Sequence, residues 1–139
     1  MKKYILVLIL FVSCNTNKRD RFSYNDETIK EAWITAYKYE VFYGCIKEGL
    51  GNDSLRIILK RKDLFNKNLE IDFNSINKAR SVGQNVIIKM PKPYIKIDND
   101  QDYLKDKNFI SYNCLKYYAS QELDSLANIE YNLYIKSKK

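Results

Sequence analysis

The chain contains no histidine. That removes the side chain most often used as a general base near neutral pH, and with it the commonest metal ligand. Glycine is also scarce, with four in the whole chain, and none forms a phosphate-cradling loop. The serines have no histidine partner, and no Gly-x-Ser-x-Gly elbow is present. No apolar run reaches the roughly 20 residues that a bilayer-spanning helix requires. Internal repeats and low-complexity tracts are missing too. DNDQD, residues 98–102, places oxygens on alternate residues as a calcium loop does. Tyr103 stands where that loop needs its glycine, and the distal glutamate is missing, so a solvated acidic turn is the expectation. Together these absences lead us to expect a protein that is not an enzyme and that uses no cofactor or metal.

What is present begins with ILVLILFVSCNTN, residues 5–17. Lys2 and Lys3 form a basic start, Tyr4 to Val12 an apolar stretch, and Ser13 a small residue before Cys14. These are the proportions of a cleaved signal peptide, too short to remain as a span. Phe11-Val12-Ser13-Cys14 resembles a bacterial lipobox, with phenylalanine in place of the usual leucine. The resemblance implies that residues 1–13 are removed and that Cys14 is lipidated. Residues 14–25 then form a tether and residues 26–139 the folded domain. No aspartate follows Cys14 and no acidic run is present. By resemblance, the protein is expected in the periplasm, anchored most naturally to the inner face of the outer membrane.

Loss of Lys2 and Lys3 lowers the formal charge of +7 by two, leaving a basic domain. The charges are mixed along the chain rather than gathered into a stripe, and export argues against a nucleic-acid partner. Anionic lipid, cell-wall polymer or an acidic protein suits this charge better. With Cys14 set aside, Cys45 and Cys114 remain, an even pair in an oxidising compartment, which reads as a disulfide. It would close a loop of about 70 residues, worth up to roughly 4 kcal/mol in the chain-entropy model.

Thr28-Ile29-Lys30-Glu31 has the form of a capping box. Ile29, Trp33, Tyr37, Val41 and Cys45 then recur every four residues, predicting a helix over 28–48 that Gly49 and Gly51 end. Asp53 or Ser54 can cap a short helix carrying Leu55, Ile58 and Leu59 and ending near Lys62. A third helix is expected from Leu69 through Phe73, Ile76, Ala79, Gly83, Val86 and Ile87 to Met90, stopped by Pro91 and Pro93. The Val-Ile-Ile run also permits a strand over 85–90, but the period favours helix. Residues 91–106 form a long connection. A last helix begins between Tyr103 and Lys107, with Ile110, Cys114, Leu115, Tyr118, Ala119 and Leu126 sharing one face. Residues 128–135 extend it. The expected fold is all-α, a compact bundle of four to five helices whose first and last long helices are joined by Cys45–Cys114.

Glu122 falls by helical angle within the apolar stripe of the last helix, where a structural role is favoured over that of a catalytic acid. Among the twelve tyrosines, Tyr94 lies between basic residues after the prolines. It is either an exposed recognition anchor or a residue packed back over the bundle.

Two segments together resemble a known family. YEVFYGCIKEGLG, residues 39–51, puts a cysteine near the end of the first long helix. FISYNCLKYYASQELDSLA, residues 109–127, presents Phe109, Cys114, Leu115, Tyr118, Ser120, Glu122 and Leu123 in the pattern F-x-x-x-x-C-L-x-x-Y-x-S-x-E-L. This is similar to the immunity proteins of type VI secretion amidase effectors, specifically the fourth amidase group. The lipid anchor departs from the many freely periplasmic members. The resemblance implies a helical periplasmic protein, often a homodimer, that binds a peptidoglycan amidase and occludes its active-site groove with a protruding loop. The loop expected here is Lys92 to Asp102, with Lys92, Tyr94, Ile95, Lys96, Asp98 and Asp100 as partner-binding residues. The turn at Gly49 to Asp53 is the second choice. The competing expectation is a structural or accessory envelope lipoprotein that binds cell-wall polymer or another envelope protein.

Overall fold

The computed structural model describes residues 27–51, 55, 57–58, 61, 71–93 and 107–138. Among these the fold is all-helical, with α1 at Ile29–Leu50, α2 at Phe73–Ile88, α3 at Ile110–Tyr118 and α4 at Gln121–Ser137. Leu55, Ile57 and Ile58 are helical as well, inside the short second helix expected from the sequence.

α1 starts where its caps dictate. The Glu31 N–H donates to the Thr28 hydroxyl, and the Thr28 N–H donates to the Glu31 carboxylate at 2.7 Å. The hydrogen bond from the Thr28 N–H is the main cause that holds the exposed Glu31 carboxyl below its ordinary range. The helix ends at Gly51, whose φ of 58° is left-handed and whose N–H donates to the Glu48 carbonyl.

α1 is the axis of the bundle and is buried on more than one face. Trp33, Ala36, Tyr37, Glu40, Val41, Tyr43, Gly44, Cys45 and Ile46 are all buried. α2 runs parallel to it, with Arg80 beside Glu40 and Gly83 beside Val41 and Cys45. The two backbones nearly touch. A β-carbon at Gly44 would lie 2.5 Å from the Arg80 carbonyl oxygen, and one at Gly83 would run into the Val41 carbonyl oxygen and the Cys45 nitrogen. Ala79, fully buried, completes this small-residue seam.

α3 and α4 return antiparallel along α1. Cys45 bonds to Cys114 with 5.8 Å between their α-carbons, within the span a disulfide needs. Phe42 meets Tyr118 edge-on at 6.0 Å, and Lys38 pairs with Asp124. At the far end Trp33 stacks on Tyr37 and Tyr134 and meets Tyr131 edge-on. The Trp33 indole N–H is buried and finds no hydrogen-bond partner. That costs about 1–3 kcal/mol, which three ring contacts of about 0.5–1.5 kcal/mol each offset.

Three sequence expectations need correction. The last helix is two helices, broken at Ser120. The Ser120 hydroxyl donates to the Tyr117 carbonyl at 2.6 Å and accepts the Leu123 N–H at 3.2 Å, ending α3 and capping α4 with one side chain. The disulfide therefore joins α1 to the nine-residue α3, not to the last long helix. α2 begins at Phe73 because the Asp72 carboxylate caps it, accepting from the Ser75 N–H and hydroxyl. Residues 85–88 continue α2 and do not form a strand.

The glycine seam yields a direct test. Gly83→Ala is expected to destabilise the protein by about 1–3 kcal/mol, since two helix backbones must separate to admit the methyl group. Urea unfolding measures this. Removing the staple with Cys45→Ala/Cys114→Ala should lower the unfolding free energy by up to about 4 kcal/mol. Under reducing conditions, parent and variant should converge.

Candidate functional site

Because α1 and α2 are parallel and α3 returns from their far end, one pole of the bundle gathers three helix termini. These are the end of α1 at Leu50, the end of α2 at Ile88 and the start of α3 at Phe109. Thr28, Asp72 and Ser137 mark the opposite pole, so at 1.5 Å per residue the poles stand about 33 Å apart along α1. The first pole carries exposed apolar side chains in number: Leu50, Ile88, Phe109, Tyr112 and Leu115, each at least half exposed.

Phe109, Tyr112 and Leu115 follow at intervals of three and so lie along one outward stripe of α3. The inward side of α3 is Ile110, Cys114, Tyr117 and Tyr118, fixed by the bond to Cys45 and by Ile110 packing over Gly49. This reverses part of the sequence expectation. Leu115 and Ala119 do not share the buried face with Cys114, since Leu115 is 58% exposed. Glu122 is also exposed, in the first turn of α4, where it accepts a long 3.5 Å hydrogen bond from the Tyr117 hydroxyl. It lies outside the apolar stripe because the break at Ser120 resets the helical phase.

Between the end of α2 and α3 lies an open cleft of about 310 Å3. Val86, Met90, Pro91 and Tyr117 supply its apolar wall, Asn113 and Ser120 its polar groups, and Lys89 and Lys116 its cations. The Asn113 amide donates to the Met90 sulfur at 3.3 Å, tying the chain after α2 to α3. Lys89, Lys92 and Lys116 are exposed and have no carboxylate partner among the described residues. Neither residues 73–93 nor residues 107–121 contain an aspartate or glutamate.

A larger cleft of about 700 Å3 lies near the opposite pole, between the start of α2 and the end of α4. Its charges are compensated, with Asp72 and Glu130 beside Lys78 and Lys138, and a Lys78–Glu130 pair of 3.1 Å crosses it. The buried Glu40 carboxylate pairs at 2.7 Å with the partly exposed Arg80, whose guanidinium lies over the Tyr43 ring, and is likewise satisfied. It locks the helix crossing and is not open to a ligand. Sequence reading missed Glu40 because it lies among apolar residues of α1.

The expected site residues fall into two groups. Lys92 is exposed at the cleft pole. Tyr94, Ile95, Lys96, Asp98 and Asp100 lie outside the described residues, as does Cys14. Both ends of that segment, Pro93 and Lys107, belong to this pole. The motif residues Phe109 and Leu115 are exposed there, Tyr118 and Ser120 are half-buried, and Leu123 is fully buried. Sequence reading did not single out Lys89, Asn113 or Lys116. The signal that finds them is the acid-free composition on both sides of the connection.

Among the described residues no helix is long and apolar enough to cross a membrane, and no cluster of histidine, cysteine or acidic side chains could hold a metal. No known family model, curated protein or solved structure matches the chain.

Tyr117 in the cleft wall and Tyr37 in the core both have phenols held above their ordinary range. Burial is the main cause in each, aided by the Glu122 charge for Tyr117 and the Glu130 charge for Tyr37. A raised folded-state value means that the unfolded chain ionises first. Stability is therefore complete below about pH 10, the unfolded tyrosine value, and falls as pH rises beyond it. Denaturant midpoints should drop between mildly and strongly alkaline buffer, and Tyr37→Phe should reduce that drop.

Proposed function

We propose that this protein is an immunity-type inhibitor, anchored through Cys14 and facing the periplasm, that binds a type VI secreted peptidoglycan amidase and occludes its active-site groove. One observation carries the reading. The two segments that resemble the family, residues 39–51 and 109–127, are the two that Cys45–Cys114 joins. The second of them presents an apolar stripe that nothing among the described residues covers.

An inhibitor of this kind needs a rigid frame and a projecting contact. The disulfide and the glycine seam supply the frame, which lowers the ordering cost of binding. The contact is the cleft pole together with the connection from Lys92 to Asp102, which lies in sequence between the described Pro93 and Lys107 of that pole. The location also suits a tethered protein. The described chain begins at residue 27, at the opposite pole, so α1 spans from that end to the cleft pole.

The lack of acidic residues in 73–93 and 107–121 also favours a second reading, an accessory envelope lipoprotein attracted to anionic cell-wall polymer. The two separate in one titration. Residues 15–139, prepared under oxidising conditions, are added to a purified type VI cell-wall amidase, preferably the one encoded beside this chain, and muropeptide cleavage is followed. Inhibition complete at a stoichiometric ratio is expected. Tyr94→Ala/Ile95→Ala should weaken it while leaving thermal unfolding unchanged. Undiminished cleavage at saturating protein would contradict the inhibitor reading and favour the polymer-binding one.

A further inference from the structure

The chemistry of the α2–α3 cleft specifies more than an apolar contact. The cleft is lined by the apolar Val86, Met90, Pro91 and Tyr117 and by two cations, Lys89 just after α2 and Lys116 on α3. Both lysines are exposed and neither forms an ion pair among the described residues. Two exposed cations beside apolar side chains complement a segment that carries carboxylates on either side of an apolar side chain. The opposite cleft offers no such field, because its lysines face Asp72 and Glu130.

We propose that this cleft receives an acidic, partly apolar segment of the protein partner, as a contact separate from the connection that follows Pro93. The proposal rests on the inhibitor reading for the partner's identity and on the cleft's own chemistry for the ligand class. A protein segment suits the shape better than a lipid surface does. The cleft is a recess between two helices, and it lies at the pole opposite the one where the described chain begins. The recess is held open before binding: Cys114 ties α3 to α1, and the Asn113–Met90 contact ties α3 to the chain after α2. Little ordering is then needed, and the lysines act chiefly on encounter rate and specificity.

The test uses the oxidised mature protein and two probes. The first is a synthetic acetylated peptide of alternating glutamate and leucine, followed by amide chemical shifts. Saturable shifts at Val86, Asn113 and Tyr117 are expected. Salt should weaken them, Lys89→Glu/Lys116→Glu should abolish them, and a lysine–leucine peptide should not produce them. The second probe is the amidase, whose affinity should fall at least about tenfold in the same charge-reversal variant. Both substituted positions are exposed, and a circular-dichroism melt verifies folding.

If the variant binds amidase as tightly as the parent does, the cleft proposal is overturned and the inhibitor reading stands. If the parent does not bind amidase at all, the inhibitor reading falls and the peptide shifts alone decide the cleft. Binding to phosphatidylglycerol vesicles without peptide shifts would replace the proposal with a lipid contact. Peptide shifts that appear only after Asp98→Asn/Asp100→Asn/Asp102→Asn would show that the chain's own connection occupies the cleft, and would overturn it too.

Discussion

At Gly44 and Gly83 two helix backbones meet with no side chain between them, and the remaining geometry follows from that contact. It holds α1 and α2 parallel along their middles, so their C-termini finish at the same pole. It brings Arg80 onto the buried Glu40, a charge that would otherwise be very costly inside the bundle. It also sets the spacing between α2 and the returning chain. α3 is close enough to α1 for a disulfide, yet separated from α2 by an open cleft.

The disulfide performs a task that hydrophobic burial does not. A helix of nine residues is marginal by itself, and Tyr112 and Leu115 of α3, with Phe109 at its N-cap, are exposed. Burial alone would favour rolling that stripe inward. The bond from Cys114 to Cys45 forbids the roll and leaves Phe109, Tyr112 and Leu115 at the surface. The staple thus sustains an exposed apolar face on a fixed helix.

Much of the scaffold is legible in the sequence because its signals are local. The Thr28–Glu31 box, Gly51 after α1 and the prolines after α2 each act within a few residues, whereas Gly49, expected to end α1, lies inside it. The cysteine pairing follows from number and compartment. The errors arise where one residue serves two elements or where tertiary contact sets the phase. Ser120 looks like an ordinary position in a long stripe, but its hydroxyl closes one helix and opens the next, so the phase carried from Leu115 to Glu122 was misplaced. Gly44, costly in the middle of a helix, was the available signal for close backbone approach. The cleft cations were hidden for another reason. They lie on either side of a long connection, and only the fold brings Lys89 and Lys116 into the lining of one cleft.

We propose that the protein meets its partner with the pole formed by the ends of α1 and α2 and the start of α3. Hydrogen exchange of the oxidised protein, alone and with the adjacent amidase, is the decisive measurement. Added protection is expected in residues 86–93 and 109–117, with the pole at Thr28, Asp72 and Ser137 unchanged. Protection confined to that opposite pole would overturn the proposal.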